Sequence, residues 1–209
     1  MYLIDVSYFI KNLHVPNTEE PTSDAYNELE VSIDRYVRQF LQLTLGRELF
    51  FELDSHVIDG GLSSSAPQIW LNLVNGCNYT NNGINYTWKG LMYQEGLFKG
   101  SILAYFVYCN HFQNTANSGL GQVAIDPKNG VVINPTSHLV NIWNEFIEMY
   151  QGSCSSSTKT TFYDGVIFED YFQNKTNGYV SYLQFLRDNK ADYPNFEANV
   201  INFVNSFGI

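Results

Sequence analysis

One long amphipathic run, from Ser23 to Leu53, constrains the fold of this chain more than any other feature. Its apolar residues recur every three or four positions, which places them on one face of an α-helix. The residues that define this face are Leu29, Ile33, Tyr36, Val37, Phe40, Leu41 and Leu45. The opposite face is polar, so we expect the helix to lie at the surface with one side buried.

Both ends of this helix are specified locally. Ser23 or Asp24 can accept hydrogen bonds from the unpaired amides of the first turn. Gly46 interrupts the pattern where a residue with positive φ would end a helix, and Arg47–Leu53 resumes it in a new direction. The sequence therefore predicts a first helix of about 33 Å at 1.5 Å per residue, a corner at Gly46 and a second, short helix.

The composition favours a single domain, residues 1–209, that does not bind a phosphate backbone. A chain of 209 residues can bury one sizeable core. Its 11 basic and 21 acidic side chains leave a formal charge of -10, which repels DNA. The three cysteines lack the spacing of a disulfide framework or a zinc site, so we expect a reducing compartment. The longest apolar run is too short to cross a bilayer.

The other elements are predicted from apolar periodicity and from glycine and proline positions. In chain order they are a short helix or extended arm in residues 1–17 that closes in a turn at Pro16 and Asn17, a helix from Pro67 to Gly76, an asparagine-rich loop from Cys77 to Asn85, and helices from Leu97 to Phe112, Ser137 to Gly152 and Tyr179 to Asp188. The helix from Leu97 is apolar on nearly all sides, which is typical of the central helix of a bundle. The predicted fold class is mainly α, a bundle of about five helices.

Two segments carry hairpin signals and are predicted to project from the bundle as arms. In residues 118–136, two β-branched runs flank Asn129-Gly130, a dipeptide that favours a tight hairpin turn. Residues 153–178 combine a linker with a second hairpin around an Asp-Gly turn. The residues predicted to form interfaces, in the N-terminal segment and in these arms, are Tyr8, Phe9, Val123, Ile125, Val131, Ile133, Phe162, Tyr163, Ile167 and Phe168.

No combination of residues points to catalysis, to a metal or to a cofactor. Cys109 and His111 diverge by about 200° around a helix and cannot act together as nucleophile and base. The four histidines lack metal-ligand spacing. Among the acidic pairs, Glu145 and Glu148 are typical of a solvated face rather than of a catalytic pair. We therefore expect a protein that is not an enzyme and holds no metal or cofactor.

Aromatic residues are more numerous than one core of this size needs, with 15 Tyr, 15 Phe and 3 Trp. Tyr and Trp are favoured at protein interfaces because they combine a large contact area with a polar group. We interpret the surplus as an interaction surface, and the alternatives are a sugar-binding groove or simply a bulky core. With the acidic charge and the predicted arms, this surplus favours a subunit of an assembly.

Several motifs follow one another in a distinctive order. They are Tyr8-Phe9-Ile10, Leu13-His14-Val15-Pro16-Asn17, the corner from Phe40 to Leu49, Trp70-Leu71-x-Leu73-Val74-x-Gly76, Trp88-Lys89-Gly90-Leu91, the helices at Ile102–Tyr108 and Trp143-Asn144, and the terminal Asn205–Ile209. This order resembles the head-to-tail connector proteins of tailed bacteriophages, including those of crAss-like and other Bacteroides phages. The motif and core residues are Pro16, Asn17, Leu41, Leu45, Gly46, Leu49, Trp70, Trp88, Gly90, Trp143, Phe207 and Gly208.

The resemblance implies a structural virion protein, an α-helical adaptor that forms a homo-oligomeric ring of twelve copies beneath the portal protein. Such a ring continues the DNA channel toward neighbouring tail or connector proteins, and DNA passes through it without sequence-specific binding. The implied location is the head-to-tail junction of the virion, after assembly in the cytoplasm of the bacterial host and with no role for a membrane. The chain departs from the shorter family members in residues 153–178, and we interpret this segment as an added arm.

Two other classes of function are compatible with the sequence. The first is a tail-side or other minor virion component that forms a ring of the same kind. The second is a carbohydrate-binding module or a small hydrolase from a gut bacterium. An enzyme would lose its activity when a residue in its cleft is replaced, whereas a ring subunit would have no activity as a monomer.

Overall fold

Helices and short hairpins alternate along the part of the chain that the structure, a computed structural model, describes: residues 2–95, 98–117, 135–152 and 180–198. The helices of these residues are α1 (Asp24–Ser55), α2 (Gln68–Asn75), α3 (Ile102–Asn117), α4 (Pro135–Gln151) and α5 (Tyr182–Asp188). The strands are β1 (Val57–Ile58), β2 (Gly61–Leu62), β3 (Cys77–Asn81), β4 (Ile84–Trp88), β5 (Tyr93–Glu95) and β6 (Phe98–Gly100), paired consecutively in three antiparallel hairpins. The predicted mainly helical fold of about five helices is confirmed, and the three observed hairpins lie at positions other than the predicted arms.

Helix α1 begins and turns where the sequence predicts. The Ser23 hydroxyl caps its first turn by accepting a hydrogen bond of 3.1 Å from the Tyr26 amide. At Gly46 the backbone leaves the helical region, with φ of 78° and ψ of 169°. Arg38 Nη1 lies 3.5 Å from Asp54 Oδ2, although these two residues would be about 24 Å apart along a straight helix. Helix α1 therefore folds back at Gly46, which confirms the predicted corner.

The last described residues pack over this corner. The amide of Glu197 donates a hydrogen bond of 3.0 Å to the carbonyl of Thr44, near the end of the first helical part of α1. A Cβ atom on Gly46 would lie 3.2 Å from the carbonyl oxygen of Asn195 and 3.3 Å from Cδ of Glu197. Both the positive φ of Gly46 and its surroundings therefore favour glycine.

Valine in place of Gly46 is expected to lower the free energy of unfolding by about 2 kcal/mol, because a side chain at positive φ costs about 1–2 kcal/mol and its Cβ would press on the carbonyl of Asn195. Urea denaturation followed by circular dichroism measures this loss. The control is Gly61→Val, since a Cβ on Gly61 would make only an ordinary contact of 3.8 Å with the carbonyl oxygen of Ile58, with an expected change within about 0.5 kcal/mol. Equal losses in both variants would contradict a special role for Gly46.

The segment Cys77–Asn85, predicted as a loop, forms most of the hairpin of β3 and β4. Its turn residues Asn82 and Gly83 have positive φ angles of 52° and 78°, the geometry of a two-residue hairpin turn. Asp59 and Gly60, with φ angles of 50° and 79°, form the equivalent turn between β1 and β2. The loop prediction was wrong because β3 and β4 are built from asparagine, threonine and tyrosine rather than from β-branched apolar runs.

Helix α3 begins at Ile102 rather than at Leu97, because the residues before it pair as β6 with β5. The buried hydroxyl of Ser101 separates the two elements: it accepts a hydrogen bond of 3.1 Å from the amide of Leu103 and donates one of 2.7 Å to the carbonyl of Leu91. The residues that follow are buried around the whole helix, which packs against α1 and α4. The predicted start was wrong, and the predicted central position is confirmed.

Helices α4 and α5 also begin at residues other than those predicted. Helix α4 begins at Pro135 rather than at Ser137, in keeping with the preference of proline for the first turn. Helix α5 begins after Ser181, not at Tyr179, and the hydroxyl of Ser181 accepts a hydrogen bond from a first-turn amide. Both starts reduce the number of unpaired amides in the first turn. Pro135 has no backbone N–H, and the Ser181 hydroxyl pairs with an amide of α5.

Aromatic residues make up much of the core, which corrects their interpretation as a surface. The ring of Phe40 lies 5.3 Å from Phe106, 6.0 Å from Phe146 and 5.6 Å from Tyr182 between centroids. The buried aromatic residues are Tyr8, Phe9, Tyr36, Phe40, Phe50, Trp70, Trp88, Tyr105, Phe106, Tyr108, Phe146, Tyr150, Tyr182, Phe185 and Tyr193. Nearly all buried side chains belong to one continuous cluster, so for these residues the bulky core was the correct alternative.

Candidate functional site

The two tryptophan motifs come together at the end of α2, whose last carbonyls lack partners within the helix. The amide of Leu91 donates a hydrogen bond of 3.1 Å to the carbonyl of Leu73. The amide of Met92 donates one of 2.9 Å to the carbonyl of Val74. The indole Nε1 of Trp88 also donates to the carbonyl of Leu73, at 2.9 Å. The second motif therefore caps the helix that the first motif forms.

Two glycines allow the motifs to approach this closely. Gly76 and Gly90 have φ angles of 89° and 92°. A Cβ atom on Gly76 would lie 2.5 Å from the carbonyl oxygen of Trp88, and one on Gly90 would lie 2.5 Å from the carbonyl oxygen of Val74. Neither position has room for a side chain. We call Trp70, Gly76, Trp88 and Gly90 the tryptophan–glycine cluster.

The tryptophans of this cluster anchor it to the rest of the core. The Trp88 ring stacks on Phe185 of α5, with centroids 5.3 Å apart and planes inclined by 17°. The Trp70 indole donates a hydrogen bond of 3.3 Å to the carboxylate of Glu52 in α1 and lies 6.0 Å from the Tyr193 ring. Both indole rings are buried, so each N–H group needs a hydrogen-bond acceptor. The acceptor is Glu52 for Trp70 and the carbonyl of Leu73 for Trp88. The cluster thus joins α1, α2 and α5.

The other described motif residues lie on the helices or near their ends. The motif residues of α1, all buried, are Leu41, Leu45, Gly46 and Leu49. Pro16 and Asn17 are exposed, and the carbonyl of Asn17 accepts a hydrogen bond of 2.8 Å from the hydroxyl of Ser23, which also caps α1. The half-buried ring of Trp143 lies 5.1 Å from Phe146. The predicted motif residues therefore stabilise the helical framework.

Tyr8 and Phe9, predicted at an interface, instead lie in the core with 5% of each side chain exposed. The ammonium of Lys99 lies 5.1 Å from the centre of the Tyr8 ring and 3.8 Å from the carboxylate of Asp5. The 3₁₀ helix Val6–Tyr8 packs against α1 and β6 of its own chain. The interface prediction is corrected for these two residues, because apolar character does not reveal whether a side chain packs within its own chain.

Most of the remaining predictions lie outside the described residues. They are the interface residues Val123, Ile125, Val131, Ile133, Phe162, Tyr163, Ile167 and Phe168, the motif residues Phe207 and Gly208, and the arms at 118–136 and 153–178. One correction applies to the first arm. Its last residues, Pro135 and Thr136, belong to α4 and not to a hairpin.

The ionisable groups in and beside α3 are shifted by burial. Desolvation raises the pKa of Cys109 to about 12, with a further contribution from Glu145, and raises the pKa of Tyr108 to about 12. Burial lowers the pKa of His111, whose Nδ1 lies 2.9 Å from the hydroxyl of Ser32 in α1. These side chains are therefore neutral at pH 7.

Two clefts of the described surface lie away from the tryptophan–glycine cluster. One of about 730 Å³ is next to the N-terminal 3₁₀ helices and is lined by His14, Glu19 and Tyr26 among others. Another, of about 530 Å³, lies at the corner of α1 between Gly46 and Glu197. Among residues 2–95, 98–117, 135–152 and 180–198, no group of His, Cys, Asp or Glu is arranged to hold a metal ion. None of the helices there has the length and apolarity needed to cross a membrane.

Exposed apolar side chains are the surface feature that the sequence analysis missed. The large ones, each at least 42% exposed, are Tyr2, Val31, Leu43, Phe51, Ile58 and Ile84. Val31 and Leu43 lie on α1 away from its buried face, whereas Ile58 and Ile84 lie beside hairpin turns. The guanidinium of Arg47 lies 5.6 Å from the centre of the Phe51 ring. For Val31, Leu43 and Phe51, the departure from the periodic apolar pattern of α1 was the available signal.

Comparisons of the chain with protein-family models, with curated proteins and with solved structures found no match.

Proposed function

We propose that this chain is a structural subunit of the ring that joins the head of a tailed bacteriophage to its tail. One observation carries the proposal: two of the motifs on which the resemblance to connector proteins rests pack against each other. Trp70 and Gly76 of one motif and Trp88 and Gly90 of the next form one packing unit at the end of α2. Motifs that depend on each other in this way are more specific together than either is alone.

The exposed apolar side chains support a role in assembly. A closed ring of identical subunits needs two different contact surfaces on each subunit. Val31, Leu43 and Phe51 on α1, together with Ile58 and Ile84 at hairpin turns, offer apolar area in more than one part of the surface. Phe51 with Arg47 over its ring combines two residue types that are enriched at protein interfaces.

The acidic charge supports a channel through which DNA passes. A formal charge of -10 repels the phosphate backbone, so DNA would slide past the subunits without sequence-specific binding. The ring would contain twelve copies beneath the portal protein, as the resemblance implies, and would contact tail or connector proteins on its other side. It would be assembled in the cytoplasm of the host cell and remain in the virion without a catalytic role.

The genetic test uses a phage that encodes this chain, with an early stop codon in its gene. We expect DNA-filled heads without tails, because the surface to which the tail attaches would be missing. Electron microscopy of lysates and plaque counts measure the effect, and the wild-type chain supplied from a plasmid is expected to restore plaques. Infectious particles that lack the chain would overturn the proposal.

The position of the chain in the particle separates the connector from a tail-side component. Cryo-electron microscopy of the virion is expected to show this subunit in a ring that contacts the portal directly. A ring that contacts only tail proteins would instead identify the tail-side alternative. Absence of the chain from purified virions, measured by mass spectrometry, would exclude both roles.

A further inference from the structure

The hairpin of β3 and β4 presents a strand edge without the usual protection against pairing. Edge strands normally carry charged residues, proline or a bulge that blocks the approach of another strand. Between Cys77 and Trp88 there is no charged residue and no proline, although 15% of the chain is charged. The β3–β4 register has no bulge, and Asn78 and Thr80 of β3 are exposed.

The hairpin turn determines which backbone groups point outward. In a hairpin closed by a two-residue turn, the pair beside the turn exchanges both backbone hydrogen bonds, and every second pair does the same. Asn81 and Ile84 are the pair beside the turn, so the amides and carbonyls of Asn78 and Thr80 point away from β4. On the opposite edge, the amide of Val180 donates a hydrogen bond of 3.1 Å to the outward carbonyl of Thr87.

The two edges therefore differ. The edge of β4 is engaged by Val180 of the same chain. No strand within the described ranges pairs with the outer edge of β3, since this sheet has two strands. The edge of β3 has the amides and carbonyls to accept a further antiparallel strand.

The sequence of β3 is complementary to itself in antiparallel pairing. The triplet Asn-Tyr-Thr occurs at residues 78–80 and again at 85–87, and the hairpin pairs Asn with Thr, Tyr with Tyr and Thr with Asn. Side-chain hydrogen bonds link the mixed pairs, from Thr87 Oγ1 to Asn78 Oδ1 at 2.7 Å and from Thr80 Oγ1 to Asn85 Oδ1 at 2.8 Å. Two copies of β3, antiparallel and centred on Tyr79, reproduce the same pairs.

We propose that the free subunit forms a two-fold symmetric dimer in which β3 pairs with β3 of a second copy. The outward backbone groups of Asn78 in one copy meet those of Thr80 in the other, and the two hairpins become one four-stranded sheet. The side-chain nitrogen Nδ2 of Asn78 donates a hydrogen bond to the Thr80 hydroxyl of the partner subunit. This bond extends the asparagine–threonine ladder observed within the hairpin. The contact is isologous, so it closes at two copies. The inference concerns the free subunit and does not rest on the proposed virion role.

The test compares two proline variants by light scattering after size exclusion, over a series of protein concentrations. Thr80→Pro removes an outward amide from the edge of β3, and Asn85→Pro removes one from the edge of β4. Both variants lose the same side-chain hydrogen bond, and neither removes a backbone hydrogen bond of the hairpin. We expect wild type and Asn85→Pro to approach twice the mass of one 23.9 kDa chain, and Thr80→Pro to remain at one.

Hydrogen exchange of the wild-type protein gives a test without substitutions. The amides of Asn78 and Thr80 are expected to become slower to exchange as the protein concentration rises, while the amide of Asn85 is unchanged. A wild-type chain that stays monomeric at all concentrations would overturn the proposal, as would a mass above two chains. The proposal would also be overturned if both proline variants were equally monomeric. The same holds if only the amide of Asn85 exchanged more slowly at high protein concentration.

Discussion

Alanine in place of Gly76 is expected to lower the free energy of unfolding by about 4 kcal/mol, a large part of the total for a domain of this size. The new Cβ would lie 2.5 Å from the carbonyl oxygen of Trp88 and 2.8 Å from that of Lys89, both backbone atoms. Relief of this overlap requires the strand β4 and its continuation to move away from α2. The move would break the hydrogen bonds that Leu91 and Met92 donate to the end of α2, each worth about 1 kcal/mol, and alanine at positive φ adds about 1–2 kcal/mol.

Urea denaturation measures this loss, and Gly83→Ala is the matched control. Gly83 also has positive φ, at 78°, but a Cβ there would meet nothing within 4 Å. The control should therefore lose only the cost of the backbone conformation, about 1 kcal/mol. The difference between the two variants isolates the close approach of the motifs. If Gly76→Ala were no less stable than Gly83→Ala, the tryptophan–glycine cluster would not be the tight packing unit described above.

Removal of the Trp88 side chain is expected to cost about 3–5 kcal/mol, the usual range for a buried tryptophan replaced by alanine. The ring is 4% exposed, stacks on Phe185 and contacts Tyr182, and its indole N–H caps the carbonyl of Leu73. Thermal and urea unfolding of Trp88→Ala measure the total loss. A loss below about 1 kcal/mol would contradict tight packing around Trp88.

Two further variants separate the contributions of Trp88. Trp88→Phe keeps an aromatic ring against Phe185 but removes the N–H donor, so it should cost about 1–3 kcal/mol, less than alanine. Phe51→Ala, at a ring that is 51% exposed, should change stability by only about 0.5 kcal/mol. A phenylalanine variant as unstable as the alanine variant would show that the hydrogen bond to Leu73, rather than the ring, dominates.

The elements that were predicted correctly depend on neighbours in the sequence. The cap at Ser23 and the corner at Gly46 follow from residue types whose backbone preferences act within one turn of helix. The apolar helix α3 was recognised because its residues are apolar around the whole circumference. Its start was misplaced because the pairing of β5 with β6, which ends at Gly100, was not recognised.

The observed hairpins were not predicted from the sequence, although one of their turns contains a dipeptide that predicts a hairpin in another segment. Asn82-Gly83 is the same dipeptide as Asn129-Gly130, on which the predicted arm at 118–136 was based. The strands beside Asn82-Gly83 alternate tyrosine with asparagine and threonine, so the apolar pattern of a half-buried strand is weak. Tyr79 packs against both Tyr86 and Phe185, and the contact with Phe185 is one that no local pattern reveals.

The sequence by itself determined the helical class, the course of α1 and its reversal at Gly46, because periodicity and turn preferences are properties of adjacent residues. It also identified Trp70, Trp88 and Gly90 as important positions. Only the tertiary structure decided that these residues, with Gly76, form one unit, and that Tyr8 and Phe9 are buried. Contacts between segments far apart in the chain depend on how the whole core packs, and the identity of a side chain does not specify which surface will cover it.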